Sequence, residues 1–345
     1  MNLNMIFNNQ YLNANNRIAI ALGDPSGIGI EVTLKALGSI DLPKNMQPLL
    51  VGCKQTVEFV HMRLKDKGVF PLADPKNIPI EDLPFKYELI AGAPNSATGE
   101  ASFKWLKRAC EFVIKKEAKA LVTAPISKHF WQLAGYKYAG QTELLGELSG
   151  VKNPSMLFTA ISPYSGWRIN TLLATTHIPL NEVSINLNPK IMKSKLDDLL
   201  SFCKNFKKNP RILISGLNPH AGENGQLGIE EIDWMIPTVK EWKKANPEVM
   251  IEGPISPDVC WVSTAKAWQD KTNNDAPDGI LSMYHDQGLI PLKILAFDSA
   301  VNTTLGLPFV RTSPDHGTGF DIAGKGIANH ESMLSAIKTG WDLSR

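Results

Sequence analysis

The chain has 345 residues, of which 43% are hydrophobic and 20% are charged, a composition typical of an ordinary globular protein. Its net charge is +2 and no block of basic residues stands out, which argues against a nucleic-acid partner. The sequence shows neither a signal peptide nor an apolar run near the roughly 20 residues of a membrane span, and its four scattered cysteines favour reduced thiols in the cytoplasm.

The predicted elements begin after residues 1–16, an asparagine-rich stretch that predicts a flexible lead-in. Short apolar runs predict strands over 17–23, 48–52, 86–92, 120–126, 155–161, 169–177, 211–220, 249–257 and 279–285. Helical periodicity is found over 28–37, 54–68, 98–116 (with Thr98 as N-cap), 187–206 and 227–246, and residues 69–86 are predicted to be irregular. Strands that alternate with helices predict an α/β protein with a largely parallel sheet.

Polar, glycine- and proline-rich segments follow most of these predicted strands. They read GDPSG, TAPISK, TTH, GLNPHAGE, GPISPD and YHDQG. In open α/β sheets, ligands bind beyond the carboxyl ends of the strands. The sequence therefore predicts one composite site built from these segments.

Three histidines, His177, His220 and His285, stand directly at predicted strand ends. Neutral imidazoles are common ligands of Zn²⁺ and related divalent ions, and three of them leave a position open for water or substrate. Their long-range spacing matches no local metal motif, so three unrelated polar loop residues are the alternative interpretation.

Two further groups suggest anion binding. The turn DPSGIGIE (24–31) could present backbone N–H groups to an anion, but it lacks the G-x-G-x-x-G spacing and is equally well explained as a tight strand-to-helix turn. Lys293, Asn302 and Arg311 combine two cations with an amide, which suits a phosphate or carboxylate; solvated surface residues are the alternative.

The segment HGTGFDIAGKGIANH (316–330) is rich in glycine, which lets a ligand approach the backbone closely. Its aspartate, Asp321, could bind both hydroxyls of a ribose, a geometry that rejects a 2′-phosphate. A long surface loop is the alternative interpretation.

Taken together and in this order, GDPSGIGIE, VTAPISK, TTHIPL, GLNPHAGENGQLGIEE, GPISPD, YHDQGLIPLK and RTSPDHGTGFDIAGKG resemble the 4-hydroxythreonine-4-phosphate dehydrogenase family of vitamin B6 biosynthesis. The resemblance runs from about Arg17 to the C-terminus. The last segment also resembles the adenosine-binding loop of isopropylmalate and isocitrate dehydrogenases. The implied fold has two α/β/α subdomains around a largely parallel mixed sheet, as in those dehydrogenases.

The resemblance also implies how the chain is divided. A discontinuous cofactor-side domain is expected over 17–150 and 285–345. A central domain over 151–284 is expected to carry metal ligands and the interface of a homodimer. The active site is expected in the cleft between the two domains.

Site residues follow from the resemblance position by position. A divalent ion (Zn, Mg or Co) is expected on His177, His220 and His285, with His285 supplied by the partner chain. The expected substrate contacts are Gln141, Thr142, Lys293, Asn302 and Arg311. NAD is expected near His316, Asp321 and Asn329. Asp286, beside a metal ligand, is expected to orient His285 or to transfer a proton.

One residue departs from the family pattern, because Gln141 stands where the family usually has histidine. Glutamine can donate and accept hydrogen bonds but cannot carry a positive charge. The departure bears on substrate affinity or on the choice of phosphorylated acid.

The implied activity is NAD- and metal-dependent oxidation of 4-phosphooxy-L-threonine to 2-amino-3-oxo-4-phosphooxybutanoate, which loses CO₂ to give 3-amino-2-oxopropyl phosphate. Two alternatives stay open: a dehydrogenase of 4-phospho-D-threonate or D-erythronate in sugar-acid catabolism, and a non-catalytic binding protein on the same scaffold. The sequence specifies neither the metal nor the catalytic base.

Overall fold

The computed structural model describes residues 16–39, 42–272 and 276–345, so the predicted lead-in lies outside the described residues except for Asn16. The strands are β1 (Arg17–Ala21), β2 (Gln47–Gly52), β3 (Ile80–Asp82), β4 (Ala120–Thr123), β5 (Ser155–Ile161), β6 (Arg168–Leu173), β7 (Arg211–Ser215), β8 (Met250–Ile255), β9 (Gly279–Ser282), β10 (Val301–Leu305) and β11 (Val310–Pro314). The helices are α1 (Gly29–Leu37), α2 (Lys54–Asp66), α3 (Ser96–Ile114), α4 (Lys128–Leu133), α5 (Gln141–Ser149), α6 (Val183–Asn186), α7 (Pro189–Cys203), α8 (Ile236–Ala245), α9 (Val262–Gln269), α10 (His285–Ala296) and α11 (Glu331–Leu343). Within the described ranges, none of these helices combines the length and apolar character needed to cross a membrane.

The first of two compact units contains the chain up to Gly150 and Pro308–Arg345. Its strands follow the order β3-β2-β1-β4-β11, and each neighbouring pair is parallel. Ile18 and Leu121 have no exposed surface, as expected for strands covered on both faces. The helices α3 and α11 pack directly on this sheet.

The second unit, Val151–Leu307, has the strand order β10-β5-β6-β9-β7-β8. Strand β5 is antiparallel to both of its neighbours, whereas β6, β9, β7 and β8 are parallel. The prediction of an α/β protein with a largely parallel mixed sheet is confirmed.

The second unit extends to Leu307, so the chain re-enters the first unit at Pro308. The resemblance implied that this boundary lies at residue 285. The intervening segment belongs to the second unit because α10 packs on β6 and β9, and β10 pairs with β5. These are tertiary contacts that a change of composition along the chain does not reveal.

Two departures from the predicted strands bear on the sheet and on the site. Residues 86–92 form no strand. Strand β2 pairs with β1 on one side and with β3 on the other, and β3 lies within the stretch predicted to be irregular, because pairing with β2 in the register of Ile80 and Leu50 satisfies its backbone. The predicted strand 279–285 ends at Ser282, where its neighbour β6 also ends, and His285 begins a helix.

The N-terminus of α3 lies one turn earlier than predicted. Asn95 is the N-cap, since its carboxamide oxygen accepts hydrogen bonds from the N–H groups of Ala97 and Thr98. The Thr98 hydroxyl accepts one from the Asn95 N–H in return. Thr98 is therefore the third residue of a capping box rather than the cap itself.

Candidate functional site

Three adjacent parallel strands carry the three histidines. His177 follows β6, His220 follows β7 and His285 follows β9, which lies between the other two strands. The carboxyl ends of parallel strands meet at one edge of a sheet. All three histidine segments therefore start from the same edge of the second unit.

Two of these histidines are neighbours within one chain. The rings of His177 and His285 have centroids 5.5 Å apart, tilted by 47°. Two imidazoles on one tetrahedral ion have centroids roughly 5 Å apart, since each Zn–N bond is about 2.1 Å long. The pair thus has the spacing that a shared divalent ion requires.

Carboxylates hold the Nδ1 atoms of two of the rings. Nδ1 of His285 lies 2.6 Å from Oδ1 of Asp286, and Nδ1 of His220 lies 2.9 Å from Oε2 of Glu223. Such a partner fixes the tautomer with Nε2 as the nitrogen that can bind a metal. The donor set therefore fits a divalent ion, and Glu223 is a residue that sequence reasoning missed, although it follows His220 in the segment HAGE.

His220 stands apart from the pair. Within the described residues of one chain, no three His, Cys, Asp or Glu side chains are grouped so that they could hold a metal ion. The described chain therefore pairs His285 with His177 and leaves His220 outside that pair.

The segment around His220 has an unusual backbone. His220, Ala221, Gly222, Glu223 and Asn224 all have left-handed φ values, between 42° and 81°. L-residues adopt this region at a cost, which persists when the surroundings fix the conformation.

Glu231 provides part of that fixation, a role that sequence reasoning also missed. Its buried carboxylate accepts hydrogen bonds from the N–H groups of Leu217 and Asn218, both at 2.8 Å, and from the Asn218 side chain at 2.9 Å. The signal that could have found it is a pair of glutamates directly after the glycine-rich segment.

In the first unit, Arg311 is buried and contacts two polar side chains. Its Nη2 donates to the Thr123 hydroxyl at 2.8 Å and to Oε1 of Gln141 at 2.9 Å. Burial lowers the pKa of the guanidinium to about 10, an effect that Glu143 opposes. The group is still protonated at neutral pH, so it can bind an anion.

Gln141 is held in a defined orientation. Its Nε2 donates to the carbonyl oxygen of Ala124 at 3.0 Å while its Oε1 accepts from Arg311. Gln141 begins α5 and Thr142 is the next residue of that helix. Because position 141 carries a neutral glutamine instead of histidine, Arg311 is the charged residue among the three bonded side chains of Thr123, Gln141 and Arg311.

The other two predicted substrate residues belong to the second unit. Lys293 lies on α10, with its ammonium 5.8 Å from the ring centroid of Phe297. Asn302 lies on β10, and its carboxamide oxygen is buried without a hydrogen-bond partner among the described residues. Buried acceptors usually have a partner, so Asn302 retains unused capacity to bind a donor.

The segment 316–330 is anchored to α1 by a buried ion pair. The Lys35 ammonium lies 2.9 Å from Oε1 of Glu31 and donates to the carbonyl oxygens of Gly326 and Ala328, while the Ala328 N–H donates to Glu31. Asp321 and Asn329 lie exposed on this segment. The buried pair gives their loop a fixed base.

His316, at the start of the same segment, is half-buried, and burial lowers the pKa of its imidazole. Its Nδ1 lies 3.0 Å from the carbonyl oxygen of Gly317, which assigns the proton to Nδ1. The ring is therefore neutral at neutral pH.

The turn 24–31 is explained by packing rather than by anion binding. The Ser26 N–H donates to Asp24, and the Ile28 N–H donates to the carbonyl oxygen of Thr318. A Cβ added at Gly27 would lie 2.7 Å from the Thr318 oxygen, so the glycine permits this close approach. These N–H groups are already used inside the protein.

Comparisons with known proteins identify the family to which the chain is similar. The family described as Pyridoxal phosphate biosynthetic protein PdxA matches residues 41–340. The curated protein named 4-hydroxythreonine-4-phosphate dehydrogenase from Synechococcus sp. (strain RCC307) is 52% identical over 328 residues, covering 95% of this chain and 99% of its own length. The protein of the same name from Synechocystis sp. (strain ATCC 27184 / PCC 6803 / Kazusa) is 46% identical over 333 residues, covering 95% of both chains.

Solved structures give the same result. The crystal structure of 4-hydroxythreonine-4-phosphate dehydrogenase from Klebsiella pneumoniae is similar with a TM-score of 0.80 and 33% identity, covering 95% of this chain and 98% of that one. The likeness extends over both units of the chain.

Proposed function

Because this chain belongs to the family of the pyridoxal phosphate biosynthetic protein PdxA, we propose that it is an NAD- and metal-dependent 4-hydroxythreonine-4-phosphate dehydrogenase. The observation that carries the metal dependence is the pair of histidines 5.5 Å apart, one of them backed by a carboxylate. Membership in a family whose close relatives are named dehydrogenases favours an enzyme over a non-catalytic binding protein.

The proposed reaction oxidises the secondary alcohol of 4-phosphooxy-L-threonine. The hydride on the alcohol carbon passes to NAD, the hydroxyl proton passes to a base, and the product is 2-amino-3-oxo-4-phosphooxybutanoate. In this β-keto acid the bond to the carboxylate breaks and CO₂ leaves, and the resulting enolate takes up a proton at carbon to give 3-amino-2-oxopropyl phosphate. A cation beside the developing enolate favours that second step.

The histidines of the second unit would hold the divalent ion. When bound, such an ion lowers the pKa of a coordinated alcohol and orients it. Asp286 and Glu223 keep the rings of His285 and His220 in the tautomer that offers Nε2. We assign Asp286 this orienting role, because its carboxylate is already bonded to the ring.

Charge and hydrogen bonding support the proposed substrate contacts. A substrate phosphate matches the guanidinium of Arg311, which can bind two oxygens at once. Gln141 and Thr142 at the start of α5 add neutral contacts. Lys293 and Asn302 are the remaining proposed contacts, a cation and an unused amide acceptor.

We further propose that the enzyme is a homodimer whose subunits share the metal site. An exposed apolar stripe on α10, formed by Ile290, Ile294 and Phe297, supports this. Their exposed fractions are 58%, 77% and 69%, and the stripe begins five residues after His285. Large exposed apolar surfaces on one helix face mark interaction sites. A second subunit on this face would cover these apolar side chains.

The cytoplasm is the proposed location. All four cysteines are buried free thiols, as expected in a reducing compartment.

The test of the function is NADH formation with a panel of phosphorylated hydroxy acids. We expect turnover with 4-phosphooxy-L-threonine, its loss on chelation, and recovery with added Zn²⁺, Mg²⁺ or Co²⁺. The neutral Gln141 motivates including 4-phospho-D-threonate and 4-phospho-D-erythronate. A higher kcat/KM with either of these acids would show that it, rather than 4-phosphooxy-L-threonine, is the substrate. Full activity after exhaustive chelation would show that the reaction needs no metal ion.

A second expectation concerns the cofactor. Asp321 is exposed on the anchored glycine-rich segment, where its carboxylate can bind the ribose hydroxyls and repel a 2′-phosphate. We expect kcat/KM for NAD to exceed that for NADP by at least about 100-fold, the size of a 3 kcal/mol preference. In Asp321→Asn, the ratio of kcat/KM for NAD to kcat/KM for NADP should fall at least tenfold. In Asp315→Asn, directly before the segment 316–330, this ratio should stay at the wild-type value. An unchanged ratio in Asp321→Asn would remove that residue from the ribose site.

A further inference from the structure

The buried side chain of Gln287, in the first turn of α10, links two of the histidine segments. Its Oε1 accepts a hydrogen bond from the Met283 N–H at 2.7 Å, and its Nε2 donates to the carbonyl oxygen of Gly216 at 2.8 Å. Met283 lies two residues before His285, and Gly216 lies four residues before His220. One amide group therefore joins the chain leading to His285 with the chain leading to His220.

The third segment is joined at the same point. The Thr175 hydroxyl donates to the carbonyl oxygen of Met283 at 2.7 Å, and the Thr175 N–H donates to the same oxygen at 3.2 Å. Thr175 lies two residues before His177. Met283 is thus bonded through its N–H to Gln287 and through its carbonyl to Thr175.

Close packing brings Gln287 within reach of these partners. Its neighbour Gly288 lies so near the strands that an added Cβ would be 2.6 Å from Leu173 and 3.0 Å from the Ser282 hydroxyl. The missing side chain lets the first turn of α10 lie directly on the ends of β6 and β9. A larger residue at 288 would push Gln287 away from Gly216.

From these contacts we infer that Gln287 is a positioning residue for the divalent ion, because it holds in place the segment that leads to His285, is joined through Met283 to the segment that leads to His177, and also holds the segment that leads to His220. The inference rests on the proposed metal-dependent function. Gln287 itself bonds backbone groups and is not assigned as a ligand. Partners that orient metal ligands typically change metal affinity by about 10- to 100-fold when they are removed.

The test compares Gln287→Met with a matched control, Asn170→Leu. Methionine keeps the approximate volume of glutamine and removes both hydrogen bonds. Asn170 is also buried in the second unit and bonded to Thr159 and to the carbonyl oxygen of Asp278, at the opposite end of β9 from Met283. Both variants lose two buried side-chain bonds, but only Gln287→Met disconnects the histidine segments.

The readout is Co²⁺ affinity, measured by competition with a chromophoric chelator on the purified full-length protein, alongside Tm. We expect Gln287→Met to bind Co²⁺ roughly 10- to 100-fold more weakly than the wild type. Asn170→Leu should lower Tm to a similar extent and keep wild-type affinity. Thr175→Val, which loses the hydroxyl bond and keeps the N–H bond, should show a smaller loss of affinity.

The outcomes distinguish failure of the proposed metal-dependent function from failure of the role inferred for Gln287. If the wild-type protein binds no Co²⁺, Zn²⁺ or Mg²⁺, the proposed metal-dependent function is wrong. A wild type that binds Co²⁺ while folded Gln287→Met binds it equally well would overturn the role of Gln287. If Gln287→Met does not fold, Thr175→Val decides, and wild-type affinity in that variant overturns the inference.

Discussion

Replacing His285 with alanine should lower kcat by roughly 1,000-fold with 4-phosphooxy-L-threonine and NAD. The ring lies 5.5 Å from His177 and is held by Asp286, so its loss removes a ligand and leaves an unfilled position. A bound ion supplies several kcal/mol of transition-state stabilisation, and each 1.4 kcal/mol is about tenfold in rate. His61→Ala, on α2 of the first unit, is the matched control and should keep wild-type turnover. Wild-type kcat in His285→Ala would exclude the ring from the site.

Mixed dimers test which chain supplies each histidine. If His177 and His285 act from one chain and His220 from its partner, His177→Ala mixed with His220→Ala restores one intact site per mixed dimer. His177→Ala mixed with His285→Ala restores none, because every site then lacks one member of the pair. Recovery in this second mixture would show that His177 and His285 act from different chains, despite their proximity within one subunit.

Replacing Arg311 with methionine should raise KM for the phosphorylated substrate by roughly 100-fold, with a much smaller change in kcat. The guanidinium is oriented by Thr123 and Gln141 and stays charged at neutral pH, although burial lowers its pKa to about 10. Loss of a charge-assisted bond of up to about 3 kcal/mol corresponds to this factor. A pure binding contact changes KM rather than kcat.

The control for Arg311 uses both a second arginine and a truncated substrate. Arg168→Met removes a guanidinium that lies 4.4 Å from the ring centroid of Phe206, outside the proposed phosphate cluster, and should leave KM nearly unchanged. With 4-hydroxy-L-threonine, which lacks the phosphate, wild type and Arg311→Met should have similar kcat/KM. If Arg311→Met impairs both substrates equally, Arg311 does not bind the phosphate.

Strand-end histidines illustrate what could be predicted from the sequence. The runs before His177, His220 and His285 are buried and apolar, and such runs in an alternating α/β pattern predict parallel strands whose ends meet. The family motifs then predicted what the site binds. None of this required knowledge of which strands are neighbours.

Contacts between distant segments could not be predicted. The bond from Gln287 to Gly216 joins residues 71 positions apart, and the ion pair of Glu31 and Lys35 anchors a loop almost 300 positions away. Local periodicity carries no record of such pairing. For the same reason the strand predicted at 86–92 was wrong: β3 exists because β2 offers it a partner.

The order of the strands in the second unit has a consequence for synthesis of the chain. Strand β9 lies between β6 and β7, although it is translated more than 60 residues after β7. Until Gly279–Ser282 emerges from the ribosome, the facing edges of β6 and β7 have no partner, and unpaired edges recruit strands from other chains. A nascent chain that stalls or is cleaved before this point exposes both unpaired strand edges at once. Slower production at low temperature, or a chaperone that shields these edges, should therefore improve the yield of folded protein.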